Sequence, residues 1–181
     1  RCEQFQRCEP STGKAELNTQ LINLLYSGRG ETMVNNCEAL KKSTQEIEAL
    51  LQVPLIQGTL RYALANEKRG ANKSKGLAEG FVFSRSILPY VEEANGKAGR
   101  VIQTNMDFVN DPVPDGARAV FRAFAEAIPN MSNVDCEKVG VVDGIGGVCD
   151  NNSSSSARQR VAVTSFVVSF TAVIVGLAVF V

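Results

Sequence analysis

The sequence predicts an all-α protein: four or five antiparallel helices in a bundle-like domain with kinked helices, followed by a hydrophobic C-terminal helix. Three observations lead there. Apolar residues return every three or four positions through the middle of the chain, the period of one helix face. Short polar or glycine-bearing breaks separate these stretches, as suits connections between antiparallel neighbours. The final 21 residues, Val161 to Val181, carry no charge. At about 1.5 Å per residue such a helix extends roughly 30 Å, the thickness of a bilayer core.

In chain order, residues 1–36 read as the end of an upstream region or an N-terminal extension. Within it, Ala15 to Tyr26 forms an apolar run suited to a short helix, which Ser27-Gly28-Arg29-Gly30 breaks. Residues 37–150 form the helical domain. From Cys37 to Glu67 one long helix, or two abutting ones, carries Ile47, Leu50, Leu51, Leu55, Gly58 and Tyr62 on a face, and Pro54 is expected to kink or split it. Arg69-Gly70-Ala71-Asn72-Lys73-Ser74 is a turn. A helix over Lys75 to Ala94 follows, with Leu77, Phe81, Ser84, Leu88 and Val91 in register and Pro89 as a second kink. A shorter one runs near Ala98 to Phe108. The clearest stripe is Ala117, Val120, Phe121, Phe124, Ala125 and Ile128, preceded by the capping acids and prolines of Asp111 to Asp115 and ended by Pro129. Residues 151–160 are a polar tether, and 161–181 a membrane-anchor segment or a GPI signal.

The chain opens at Arg1 and is read as the tail of a longer precursor whose targeting segment lies upstream. Lysine plus arginine and aspartate plus glutamate number 19 each, with no basic stripe among aromatics, so nucleic acid is not an expected partner. Five cysteines and four Asn-x-Ser sequons, at Asn72, Asn130, Asn151 and Asn152, favour an oxidising, glycosylating compartment. Arg158 and Arg160 before a retained span would instead place the body in the cytosol. A GPI signal with cleavage near Ser153 and Ser154 resolves that conflict and is favoured over a retained span. The cysteines lack C-x-x-C spacing, so disulfides are the default. Cys136 with Cys149 would close a small glycine-rich loop, and Cys8 with Cys37 would staple the N-terminal region, leaving Cys2 for a cysteine upstream.

The absence of histidine removes Ser-His-Asp and Cys-His nucleophilic sites and histidine metal sites, and no Walker loop is present, so no enzyme is expected. What remains is oxygen chemistry. Tyr62 and Tyr90, with Glu67, Glu79, Glu92 and Glu93, lie on the two central helices as hard donors suited to a hard cation such as ferric iron. Arg61 beside Tyr62 offers a guanidinium fork for a small bridging anion. Gly58 and Gly80 inside helical patterns imply close helix approach or ligand access.

The segments Val53-Pro54-Leu55-Ile56-Gln57-Gly58-Thr59-Leu60-Arg61-Tyr62-Ala63 and Ala78-Glu79-Gly80-Phe81-Val82-Phe83-Ser84-Arg85-Ser86-Ile87-Leu88-Pro89 resemble the low-iron-inducible iron-assimilation proteins of algae, the family that includes phytotransferrins. The likeness spans roughly Cys37 to Gly140, with Val134-Asp135-Cys136-Glu137-Lys138-Val139-Gly140 near its end. It implies a cell-surface or periplasmic protein that captures Fe3+ with a synergistic carbonate for uptake. On that expectation Tyr62 is a phenolate ligand, Glu79 a carboxylate ligand, Tyr90 a second phenolate and Arg61 the anion holder. One departure stands out: transferrin-like sites commonly include a histidine, so here the ligands are all oxygen or the site is completed upstream. The competing expectation is a membrane-anchored extracellular helical module that binds a protein or glycan without metal.

Overall fold

A computed structural model describes residues 2–69, 74–107, 109 and 111–149. It is mostly helical. In order come α1 (Glu16–Met33), α2 (Cys37–Arg69), α3 (Ser74–Ala94), α4 (Gly96–Met106), α5 (Ala117–Ala127), a 3-10 turn (Ile128–Asn130), α6 (Cys136–Val139), and the two-residue strands β1 (Val141–Val142) and β2 (Gly146–Gly147), paired antiparallel. From α1 to α5 each helix packs on the next, and α5 and α6 both return against α2. No helix among the described residues is long and apolar enough to cross a membrane. The expected tether and hydrophobic segment, 151–181, and the sequon at Asn72 lie outside the described residues.

α2 is the central element, touching α1, α3, α4, α5 and α6. Its buried face is Ala49, Leu50, Val53, Ile56, Leu60, Ala63 and Leu64, not the stripe read from the sequence: Leu51 is half exposed. A helix contacted on several sides buries more than one narrow stripe, which blurs the period. Neither proline splits its helix, since α2 runs unbroken through Pro54 and α3 through Pro89. Each proline removes one amide from the hydrogen-bond ladder, and packing on both sides holds the remaining turns.

The glycines of Ser27-Gly28-Arg29-Gly30 do not end α1 as expected, because Gly28 is where α1 meets α2. A Cβ there would lie 3.6 Å from Leu40 and 3.9 Å from Ser43. The Ser43 hydroxyl donates to both oxygens of Glu31 at 3.1 and 2.9 Å, locking the same crossing. Residues before α1, set apart in the sequence reading, join the common core: Phe5 is fully buried, and its carbonyl accepts from Val141 N at 3.1 Å.

The start of α5 is capped from a distance. Gly116 precedes it with φ 83°, a left-handed conformation that glycine adopts without strain. No neighbouring acid caps the helix; the Ala117 amide donates to Glu67 Oε1, on the last turn of α2, at 3.0 Å. Asp115, an expected cap, instead exchanges hydrogen bonds with Asn105 on α4, its own amide donating at 2.9 Å and its carboxylate accepting at 3.0 Å. The six stripe residues from Ala117 to Ile128 are all buried, as their spacing predicts.

Two disulfides form. Cys136 bonds to Cys149 around the β1–β2 hairpin, the pairing expected. The expected Cys8–Cys37 staple is corrected: Cys8 bonds to Cys2, and Cys37 is free and exposed at the start of α2. The physical reason is local, since the turns over residues 2–8 fold Cys2 back toward Cys8, as the Arg7 amide bonding to the Cys2 carbonyl at 2.8 Å illustrates.

Candidate functional site

The two central helices approach closely because each offers a glycine to the other's aromatic residue. A Cβ at Gly58 on α2 would penetrate the Phe83 ring on α3. A Cβ at Gly80 on α3 would lie 2.9 Å from the Tyr62 Cβ on α2. Between these notches the Tyr62 and Phe83 rings stack, centroids 5.8 Å apart and planes 16° apart. Offset parallel rings in this range attract through their quadrupoles as well as by area.

Two of the sequence candidates meet at that stack, Tyr62 and Arg61, and a third, Glu79, lies on the same face of α3 as Phe83. The Arg61 guanidinium lies 5.7 Å from the Tyr62 ring centroid, in cation–π range. Glu79 is half buried, next to Gly80 and four residues before Phe83. Residues four apart share a helix face, so Glu79 stands on the side of α3 that carries the ring stacked on Tyr62. The stack thus sets a guanidinium beside a phenol, with the Glu79 carboxylate one turn before Phe83 on α3, and these are donor types that a hard trivalent cation and its counter-anion need.

Tyr90 is not part of this group. It stands ten residues beyond Gly80 on α3, roughly 15 Å along the axis. There it lines a separate groove of about 420 Å³ with Gln45, Glu48 and Gln52 of α2, Glu93 of α3 and Asn130 of the turn after α5. Tyr90 as a second phenolate beside Tyr62 is therefore corrected: α2 and α3 are antiparallel, and the tyrosines meet opposite ends of their contact. Glu67 is likewise committed elsewhere, as the cap of α5.

Sequence reasoning missed Gln52. It is only 6% exposed, its Nε2 donates to the Glu48 carbonyl at 3.4 Å, and its Oε1 has no partner among the described residues. The available signal was an amide on the apolar side of α2, one residue before Val53. Cys136, Glu137 and Cys149 bring donor atoms within 4.8 Å of one another. The disulfide consumes both thiolates, so they are not metal ligands there.

No family model, curated protein or solved structure matches this chain.

Proposed function

We propose that this chain captures ferric iron at the cell surface for uptake, holding it with a carbonate where α2 meets α3. One observation carries this role. The two segments that resemble the iron-assimilation proteins, around Gly58–Tyr62 and Glu79–Phe83, pack on each other through reciprocal glycine notches, and their contact stacks Tyr62 on Phe83 with Arg61 beside it and Glu79 one turn before Phe83. Ferric iron prefers charged oxygen donors, which Tyr62 as phenolate and Glu79 as carboxylate supply. The Arg61 fork suits a carbonate that fills further positions on the metal. Surface placement draws support from the two disulfides, which persist in oxidising compartments, and from the uncharged 161–181 segment as anchor.

Competition with a ferric chelator tests the ligand set. Tyr62→Phe and Glu79→Gln each weaken ferric binding at least about tenfold, the loss of about 1.4 kcal/mol. Arg61→Ala removes the bicarbonate dependence, and Tyr90→Phe changes nothing. Equal affinity in all four folded variants contradicts the role.

A second role, docking of a partner protein without metal, is favoured by a separate observation. α1 leaves Ile22, Leu25 and Tyr26 at least half exposed, with Met33 and Val34 beyond them. A partner site of that kind is recognised by an apoprotein whose surface association is lost on Leu25→Glu while no iron binds.

A further inference from the structure

We infer that Asn130 carries an N-linked glycan whose first sugars fold back into the groove between α2, α3 and the turn after α5, stacked on Tyr90. The groove, about 420 Å³, falls within the roughly 300–1,000 Å³ of small-ligand sites. Its polar lining is amide, carboxylate and hydroxyl, from Gln45, Glu48, Gln52, Tyr90, Glu93 and Asn130, and no lysine or arginine among the described residues lines it. Such a lining gives an anion no charge partner and offers many acceptors to a neutral molecule rich in hydroxyls. Tyr90, 48% exposed, adds a flat apolar face with a polar tip, which the C–H face of a pyranose can cover.

Gln52 supplies the independent sign of a ligand. More than nine-tenths buried, it turns Nε2 back to its own helix and leaves Oε1 without a donor among the described residues. A buried carbonyl without a partner costs free energy until an O–H or N–H reaches it, and a sugar hydroxyl or N-acetyl amide has that group. The occupant is identified by the rim. Asn130-Met131-Ser132 is an N-glycosylation acceptor, and of the chain's four sequons it is the one whose asparagine lies among the described residues. Asn130 and Ser132 are exposed, Asn130 itself lines the groove, and Met131 between them is buried and fixes the segment. A sugar tethered at that rim meets the groove at high effective concentration, whereas a free sugar must be recruited from solution.

The modification is a transfer from a lipid-linked oligosaccharide. The Asn130 Nδ2 forms a bond to the sugar C1, the bond from C1 to the lipid pyrophosphate breaks, and Nδ2 gives up one proton as the pyrophosphate leaves. It rests on passage through a glycosylating compartment, as the surface role does, but not on iron binding.

The test uses the full chain secreted from a eukaryotic host. Mass spectrometry finds the peptide with Asn130 glycosylated, and native enzymatic removal of the glycan lowers Tm by about 3 °C. Ser132→Ala, which abolishes the acceptor and keeps Asn130, reproduces the lower Tm. In Tyr90→Ala, glycan removal leaves Tm unmoved, and in the wild-type glycoprotein nuclear Overhauser contacts link the Tyr90 ring to the first sugars. An unmodified Asn130, or a glycan whose removal shifts wild type and Tyr90→Ala alike with no Tyr90 contact, overturns the inference. Because Tyr62 lies at the other end of the helix contact, ferric affinity is the same with and without the glycan, so failure here and failure of iron capture are read separately.

Discussion

Gly58 shows how little space separates the two central helices. Its substitution by alanine drives a methyl into the Phe83 ring, so Gly58→Ala is expected to cost about 1–3 kcal/mol in urea unfolding. Pairing it with Phe83→Leu recovers part of that loss, because the two residues share one contact. Glu67 is a second residue whose role is sharp. Glu67→Ala strips the Ala117 amide of its acceptor and costs roughly 0.5–2 kcal/mol, as loss of a cap does, while Glu67→Gln keeps an oxygen there and costs less. Glu9 gives a pH signature. The Thr19 hydroxyl on α1, then that of Thr12, donates to its carboxylate and holds it below the usual 4.5, with Lys14 adding a smaller pull. A depressed carboxylate stabilises the fold above its unfolded value and loses that contribution as pH falls through its folded value. Amide protection in the first turn of α1, taken relative to the intrinsic exchange rate at each pH, is therefore expected to fall as pH drops below about 4.5, and Thr19→Val removes that pH dependence.

Among the elements, the hairpin stands or falls with its disulfide. Cys136–Cys149 closes a loop with a sequence separation of 13. The double change to serine is expected to cost about 2–4 kcal/mol, read as a lower urea midpoint. Cys37→Ser, at an exposed unpaired position, stays within about 0.5 kcal/mol. The elements divide sharply in how legible they were. α5 was readable from Ala117, Val120, Phe121, Phe124, Ala125 and Ile128 because a single face meets the core. α2 was readable in extent and not in face, because neighbours on several sides bury Val53, Ile56 and Leu60 as well as Leu50. α1 ran past Gly28 and Gly30 because local propensity yields to packing against Leu40 and Ser43. The cap of α5 was beyond sequence reasoning, since Glu67 lies fifty residues before Ala117. At the site, Gly58 and Gly80 did mark close helix approach. The separation of Tyr90 from Tyr62 depended on the antiparallel register, which helical spacing within either segment does not contain.

For the whole molecule, the antiparallel contact of α2 and α3 carries two different chemistries at its two ends. Near Gly58 and Gly80 it stacks a phenol on Phe83 with a guanidinium beside it, and near Tyr90 it opens a groove lined by amides and acids. If the first end holds ferric carbonate, proton uptake by the anion and by the phenolate opposes binding, so iron is released as pH falls, as happens wherever ligands must be deprotonated. The most direct measurement is a ferric titration of the full chain with and without bicarbonate, followed by visible absorbance. Iron capture at Tyr62 predicts a tyrosinate-to-iron charge-transfer band that saturates at one iron per chain, requires bicarbonate and vanishes in Tyr62→Phe. A chain that develops no band, or one whose band survives Tyr62→Phe, contradicts it.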